Sequence, residues 1–244
     1  MMVAAEPCSV SIHVRRFAPE AELVCPWTEV DVGVLISALP WRTFRWHKGQ
    51  KHYPGAFWSS TERDLVIYES RLELARLLFA DFDRSVDHIV AQPFLLRAAV
   101  GGVLRRHIPD YLLFTSAGPL VVDVKPRHRV VKPENAFTFA WTRRVVESRG
   151  WRYEVWSEPP RAELENVRFL AGYRRDWLFD HELVAELRSA DLDGATLAAA
   201  CRSFPDQPAA MVRSAVLHLL WQQHFQVDLT RPLSGAHVLR RVAA

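Results

Sequence analysis

Apolar and polar residues change period several times along the chain, and each change predicts an element. Leu65-Val-Ile-Tyr68 is short and β-branched, as a strand requires. Ser70-Arg-Leu-Glu73 then opens a helix in which Leu72, Ala75, Phe79 and Phe82 recur at helical spacing. His88–Arg97 reads as a strand, with Pro93 marking a bulge or an edge position. Gly101-Gly102 predicts a turn. Ile108–Phe114 and Leu120–Lys125 are two further strands around Ser116-Ala-Gly-Pro119, a connection with the chemistry of a hairpin turn. Pro133 and Glu134 stand where a helix would start, Phe137–Ser148 forms its body and Gly150 stops it. Trp151–Trp156 alternates strictly between apolar and polar residues, which predicts a strand. The expected order is αβββαβ.

After Pro159-Pro160 the character of the chain shifts, and helical signals run from about Asp176 to Gln223. Three stretches, Trp177–Arg188, Gly194–Arg202 and Ala209–His224, carry helical signals, and in the last of them Val212, Ala215, Val216, Leu219 and Leu220 face one way. The tail pairs Phe225–Leu229 with His237–Arg240 around Pro232 and Gly235 as a small hairpin. Three helices and a hairpin suggest a winged-helix arrangement, with a generic helical cap as the alternative. The expected domains are 1–175 and 176–244.

Composition narrows the class. The chain has 244 residues, 49% of them hydrophobic and 24% charged, with a mean hydropathy of −0.07; disorder and a membrane-spanning protein are both disfavoured. The longest nearly uncharged apolar run, Val32–Trp41, is about half of a membrane span. Charges scattered through the first thirty residues argue against a secretory signal. Three widely spread cysteines, Cys8, Cys25 and Cys201, lack metal-ligand spacing and suit a reducing cytoplasm. A net charge of +3 permits a nucleic-acid partner only if the charge is clustered. It is clustered between Asp31 and Glu62, where no acid occurs. There Trp41–Pro54 interleaves Arg42, Arg45, Lys48 and Lys51 with four aromatic rings, a mixture suited to phosphates and bases. The same composition also fits a solvated connection. The ten histidines, His88, His107 and His128 among them, show no ligand spacing and read as surface or loop residues.

The hairpin carries the chemistry. Asp110 and Asp123 are mirror images about the Ser116–Pro119 turn, so an antiparallel pairing centred there sets them opposite one another. Lys125, two residues on from Asp123, shares its face of the strand. Facing carboxylates repel unless something compensates, and a divalent cation between them would. Oxygen donors suit Mg²⁺. Val121, Val122 and Val124 make this an otherwise buried strand, where charged groups need a partner. Ser70-x-x-Glu73 is a capping box in which Glu73 would bond back to the Ser70 amide, and Glu69 is a competing acid beside it. Gln92, on the first strand of the series, either reaches the site or satisfies backbone at the Pro93 break.

Taken together, Ser70-x-x-Glu73, Gln92-Pro93, Pro109-Asp110 and Asp123-Val-Lys125 on an αβββαβ frame resemble the PD-(D/E)xK nuclease superfamily. More narrowly, the chain from the Trp41 strip to Trp156 is similar to the TnsA-like endonuclease subunits of heteromeric transposases. The resemblance implies a mixed α/β, restriction-endonuclease-like core followed by a helical, winged-helix-like domain. It maps the helix acid to Glu73 rather than Glu69, the PD motif to Pro109 and Asp110, and the terminal acid and lysine to Asp123 and Lys125. Some TnsA-type relatives carry an amide where this chain has Asp123. It further implies that Asp110, Asp123, the Val124 carbonyl and Glu73 hold Mg²⁺, with Mn²⁺ as a substitute, and that Lys125 orients the attacking water. Double-stranded DNA would be the substrate, its backbone flanked by Arg127, Arg129 and Lys132, and a DDE-type transposase and an AAA+ ATPase would be partners. Two other readings stay open: a catalytically silent DNA-binding or assembly subunit, and a stand-alone restriction-type or repair nuclease.

Overall fold

A computed structural model describes residues 7–17, 22–42 and 53–242. Arg45, Lys48 and Lys51 of the basic strip lie outside the described residues. The chain is mixed α/β, with several sheets and eight α-helices among the described residues. It divides into two units, Met1–Asp81 with Ser85–Glu158 and Phe82–Arg84 with Pro159–Ala244. The division falls after Glu158, so 159–175, expected with the first domain, belongs to the second unit.

The first unit contains β1 (Cys8–Arg15), β2 (Glu22–Pro26), α1 (Val32–Ile36), β3 (Gly55–Ser59), β4 (Asp64–Tyr68), α2 (Arg71–Phe82), β5 (Val86–Ala91), β6 (Leu95–Val100), β7 (Val103–His107), β8 (Tyr111–Thr115), β9 (Gly118–Val124), α3 (Arg127–Val130), α4 (Pro133–Glu147) and β10 (Arg152–Trp156). One four-stranded sheet runs β10-β9-β8-β5, a second runs β2-β1-β6-β7, and β3 pairs with β4 alone. Only β9 and β10 are parallel within the first sheet, the crossover between them being α3 and α4. Helix α4 starts with Pro133 in its first turn and gives way to Gly150 at φ +74°, the Pro-in, Gly-out asymmetry of helix ends.

The expected strand His88–Arg97 is two strands in two sheets. Gln92 sits at φ +47°, and Pro93 has no N–H to offer a ladder, so the chain cannot continue straight. It turns there from β5, paired with β8, into β6, paired with β1 and β7. Gly101 (φ +59°) and Gly102 (φ +76°) form the expected turn, closing β6 and β7 from Val100↔Val103 to Leu96↔His107. The inner faces of the two sheets, with α4, enclose one core that includes Ile12, Val14, Leu96, Leu112, Val121 and Val146. Trp27 joins them: its ring lies 5.5 Å from Phe94 and 5.2 Å, edge-on, from Trp151.

The second unit contains α5 (Arg161–Leu170), α6 (His181–Ser189), α7 (Leu197–Ala200), α8 (Ala209–Trp221), β11 (Phe225–Gln226) and β12 (Arg240–Arg241). Pro159-Pro160, read as a break, leads directly into α5, whose N-cap is Pro160. Helix α8 is the centre of this unit: Val212, Val216, Leu219 and Leu220 are at most 2% exposed. Asp180 caps α6 by accepting from the Glu182 and Leu183 amides. The expected terminal hairpin is a minimal pair, Phe225↔Arg241 and Gln226↔Arg240. None of the described helices is long and apolar enough to cross a membrane.

Candidate functional site

The β8–β9 hairpin has the register that the turn dictates: Tyr111↔Val122, Leu112↔Val121, and so on to Thr115↔Gly118. Continued by one residue, the ladder sets Asp110 across from Asp123, and the Asp110 amide donates to the Val122 carbonyl at 3.1 Å. Asp110 Oδ2 accepts from the Val124 amide at 2.6 Å. Asp123 is only 2% exposed. Its two oxygens each lie 2.8 Å from His107 Nε2, and Oδ2 also accepts from the Tyr153 hydroxyl.

Glu73 stands in the first turn of α2. Its Oε1 accepts from the Ser70 hydroxyl at 2.8 Å, and its amide donates to Ser70 Oγ at 3.1 Å. Oε2 reaches one residue further back than the expected box, to the Glu69 amide at 2.7 Å. Lys125 follows β9, its backbone N–H held by the Trp156 carbonyl at 2.9 Å.

These groups feel one another. Desolvation, followed by the charges of Asp123 and Glu73, holds the Asp110 carboxyl well above the usual range, against the Val124 amide and the Lys125 ammonium, which pull it down. Glu73 is raised too, first by burial, and is pulled back by its bonds to Glu69 and Ser70 and by Lys125. Tyr153 is pushed far up by burial and by Asp123, so its hydroxyl stays a donor. Positive charge relaxes both raised carboxyls, and Lys125 pulls each of them down without cancelling the rise.

Glu73, Asp110, Asp123 and Lys125 line one cleft of about 700 Å³, together with Arg42, Glu69, Arg106, His107, Val124 and Arg129. Of the expected backbone contacts, Arg42 and Arg129 therefore reach the cleft. Arg127 does not: its amide donates to Glu158 Oε2 at 2.9 Å and its guanidinium to the Glu158 carbonyl. Lys132 is the exposed residue preceding α4, away from the cleft lining. Glu69 is tied to Arg42 at 3.0 Å and to the Gln92 amide at 2.8 Å. Gln92 also accepts from the Arg42 N–H and donates its own backbone N–H to the Asp110 carbonyl, each at 2.8 Å. Among the described residues it braces the site through Glu69 and the backbone, with no hydrogen bond to the carboxylates of Glu73, Asp110 or Asp123.

His107 and Tyr153 are the participants missed in the sequence. The hairpin arithmetic that places Asp123 also applies to the Gly101-Gly102 turn, where it sets His107 opposite the buried Leu96. Tyr153 had no such signal, because β10 joins the sheet by a crossover and no turn fixes its register. Among the described residues, no three of His, Cys, Asp and Glu converge closely enough to hold a metal ion by themselves. Asp110 and Asp123 are a two-carboxylate set that would leave remaining coordination to backbone carbonyl, water and phosphate, the usual state of Mg²⁺ in proteins. No protein-family model matches the chain, and no curated protein matches it in sequence.

Proposed function

We propose that this chain is a Mg²⁺-dependent DNA endonuclease with a restriction-endonuclease-like PD-(D/E)xK core, acting as the TnsA-like subunit of a heteromeric transposase and hydrolysing phosphodiesters at the 5′ ends of a mobile element. One observation carries the reading: two carboxylates face each other at the end of a hairpin ladder, with a lysine two residues beyond one of them, in a single cleft. The donor set fits a hard divalent cation, Mg²⁺ with Mn²⁺ as a substitute. Burial first, and then the charges of Asp123 and Glu73, raise the Asp110 carboxyl, and positive charge at that point offsets the repulsive part.

In this reading Asp110, Asp123 and the Val124 carbonyl hold the ion. When bound, it supplies charge stabilisation at the scissile phosphate and acidifies a bound water. His107 and Tyr153 fix the Asp123 carboxylate by three hydrogen bonds, so little orientation is lost when the site fills. Lys125 orients the attacking water and sets positive charge beside the developing oxyanion. Glu73, held at the start of α2 by the Ser70 hydroxyl and the Glu69 amide, completes the acidic set from the helix. Arg42 and Arg129 hold flanking backbone from the cleft rim. The second unit, helices followed by a short β pair, serves as a winged-helix-like module for DNA or for the transposase and ATPase partners, and the complex works in the cytoplasm.

One observation favours a second reading, a silent assembly subunit: both oxygens of the buried Asp123 carboxylate are engaged by His107 and Tyr153. Nicking of supercoiled plasmid in Mg²⁺, with and without a partner transposase, decides between them. Wild type is expected to nick, and Asp110→Ala and Lys125→Ala to lose at least about a hundredfold in rate. Equal behaviour of all three proteins would remove the site assignment.

A further inference from the structure

Strand β7 is the edge of the second sheet, and its side chains are exposed through Arg106. Its pairing with β6 sets Arg106 directly across from Arg97. Two guanidinium groups in direct cross-strand register repel, and a sheet normally avoids this by placing an acid nearby. Here no hydrogen bond or ion pair to either side chain occurs among the described residues. The Arg97 Nε is buried without a partner, which costs stability in the free protein. The adjacent residues behave otherwise: on the opposite face, Arg105 lies over the Phe137 ring at 5.1 Å, and His107 bonds Asp123. Alternation along β7 therefore sends His107 to the acids and Arg106 to the outer face, while both still line the cleft.

We propose that Arg97 and Arg106 form a clamp for a DNA backbone phosphate beside the bond to be cut, an inference that rests on the nuclease reading above. Paired guanidinium groups offer forked donors matched to phosphate oxygens. An anion between the outer guanidinium nitrogens converts a repelling pair into a bridged one. Because β7 leads within three residues to Asp110, a phosphate gripped at Arg106 fixes the position of the strand relative to the acids.

The test is fluorescence anisotropy of a short labelled duplex over a series of salt concentrations, in EDTA, so that neither cation binding nor cleavage contributes. Arg106→Ala, at an exposed position, is expected to weaken binding about tenfold and to flatten the dependence of log Kd on log salt by about one. Arg97→Gln is expected to do the same, and the double variant little more, since both residues serve one phosphate. Arg105→Ala is expected to keep the wild-type slope. An unchanged slope in Arg106→Ala overturns the clamp. So does self-association of that variant with unchanged DNA binding, which would make Arg106 a guard of an open sheet edge. The parallel nicking assay separates the two ideas. Nicking with an arginine-independent slope defeats the clamp alone, an arginine-dependent slope without nicking defeats the nuclease reading alone, and failure of wild type to bind duplex defeats both.

Discussion

Asp110 is the residue at which stability and chemistry oppose each other. Its carboxyl is raised well above the usual range by desolvation and by its acidic neighbours, so the folded state binds a proton that the unfolded chain releases. The contribution to stability is therefore greatest at low pH. It falls as pH rises from the unfolded value towards the folded one, by about 1.4 kcal/mol for each unit between them. Asp110→Asn keeps an oxygen for the Val124 amide and removes the charge. Without divalent cations at pH 8, it is expected to melt higher than wild type, and the gap is expected to close as pH is lowered or Mg²⁺ is added. Thermal melts across pH check this, and a variant less stable than wild type at every pH would contradict it. The facing of Asp110 and Asp123 was legible in the sequence because a short turn fixes antiparallel register by counting. The hold of His107 and Tyr153 on Asp123 was not, because it depends on which side chains two separate sheets direct into the space between them.

Helix α2 brings Glu73 to the cleft, and its position depends on the other end of the helix. Asp81, 6% exposed, accepts from the Ser59 hydroxyl at 2.6 Å, the Ser60 amide and hydroxyl at 3.0 Å each, and the Thr61 amide at 2.8 Å. One carboxylate thus fastens α2 to the turn between β3 and β4. Asp81→Ala leaves these donors without an acceptor and is expected to cost about 3 kcal/mol or more in denaturant unfolding, with Asp81→Asn losing less. A loss below about 1 kcal/mol would mean that water replaces the carboxylate. Among the elements, α2, α4, β10 and the β8–β9 hairpin were expected from periodicity and turn chemistry. The second sheet was not expected. Val10, Ile12 and Val14 give β1 a clear period of two and it pairs locally with β2, yet its other partner, β6, lies some eighty residues away, and long-range pairing leaves no local mark. The break at Gln92-Pro93 was read as a bulge or an edge position, since a proline alone does not tell whether a strand bends or changes sheets.

The distribution of charge explains why a total of +3 says little about what the chain binds. Glu69, Glu73, Asp110 and Asp123 crowd one cleft, whose lining also includes Arg42, Arg106, Lys125 and Arg129. The acids weaken the attraction of such a cleft for phosphate until they are neutralised, so a divalent cation is expected to strengthen duplex binding beyond the level the arginines reach in EDTA. The two units divide after Glu158 rather than at the expected 175, because α5 starts directly at Pro160 and carries an amphipathic pattern of its own. Hydrolysis can depend on partner subunits, whereas cation binding depends only on this chain. Calorimetric titration of Mn²⁺ into wild type, Asp110→Asn, Asp123→Asn and the double variant is therefore the decisive measurement. If the facing acids form one metal site, wild type binds the ion, each single variant loses that binding, and the double variant loses nothing more. Equal binding by wild type and Asp110→Asn, or no binding by folded wild type, would contradict it.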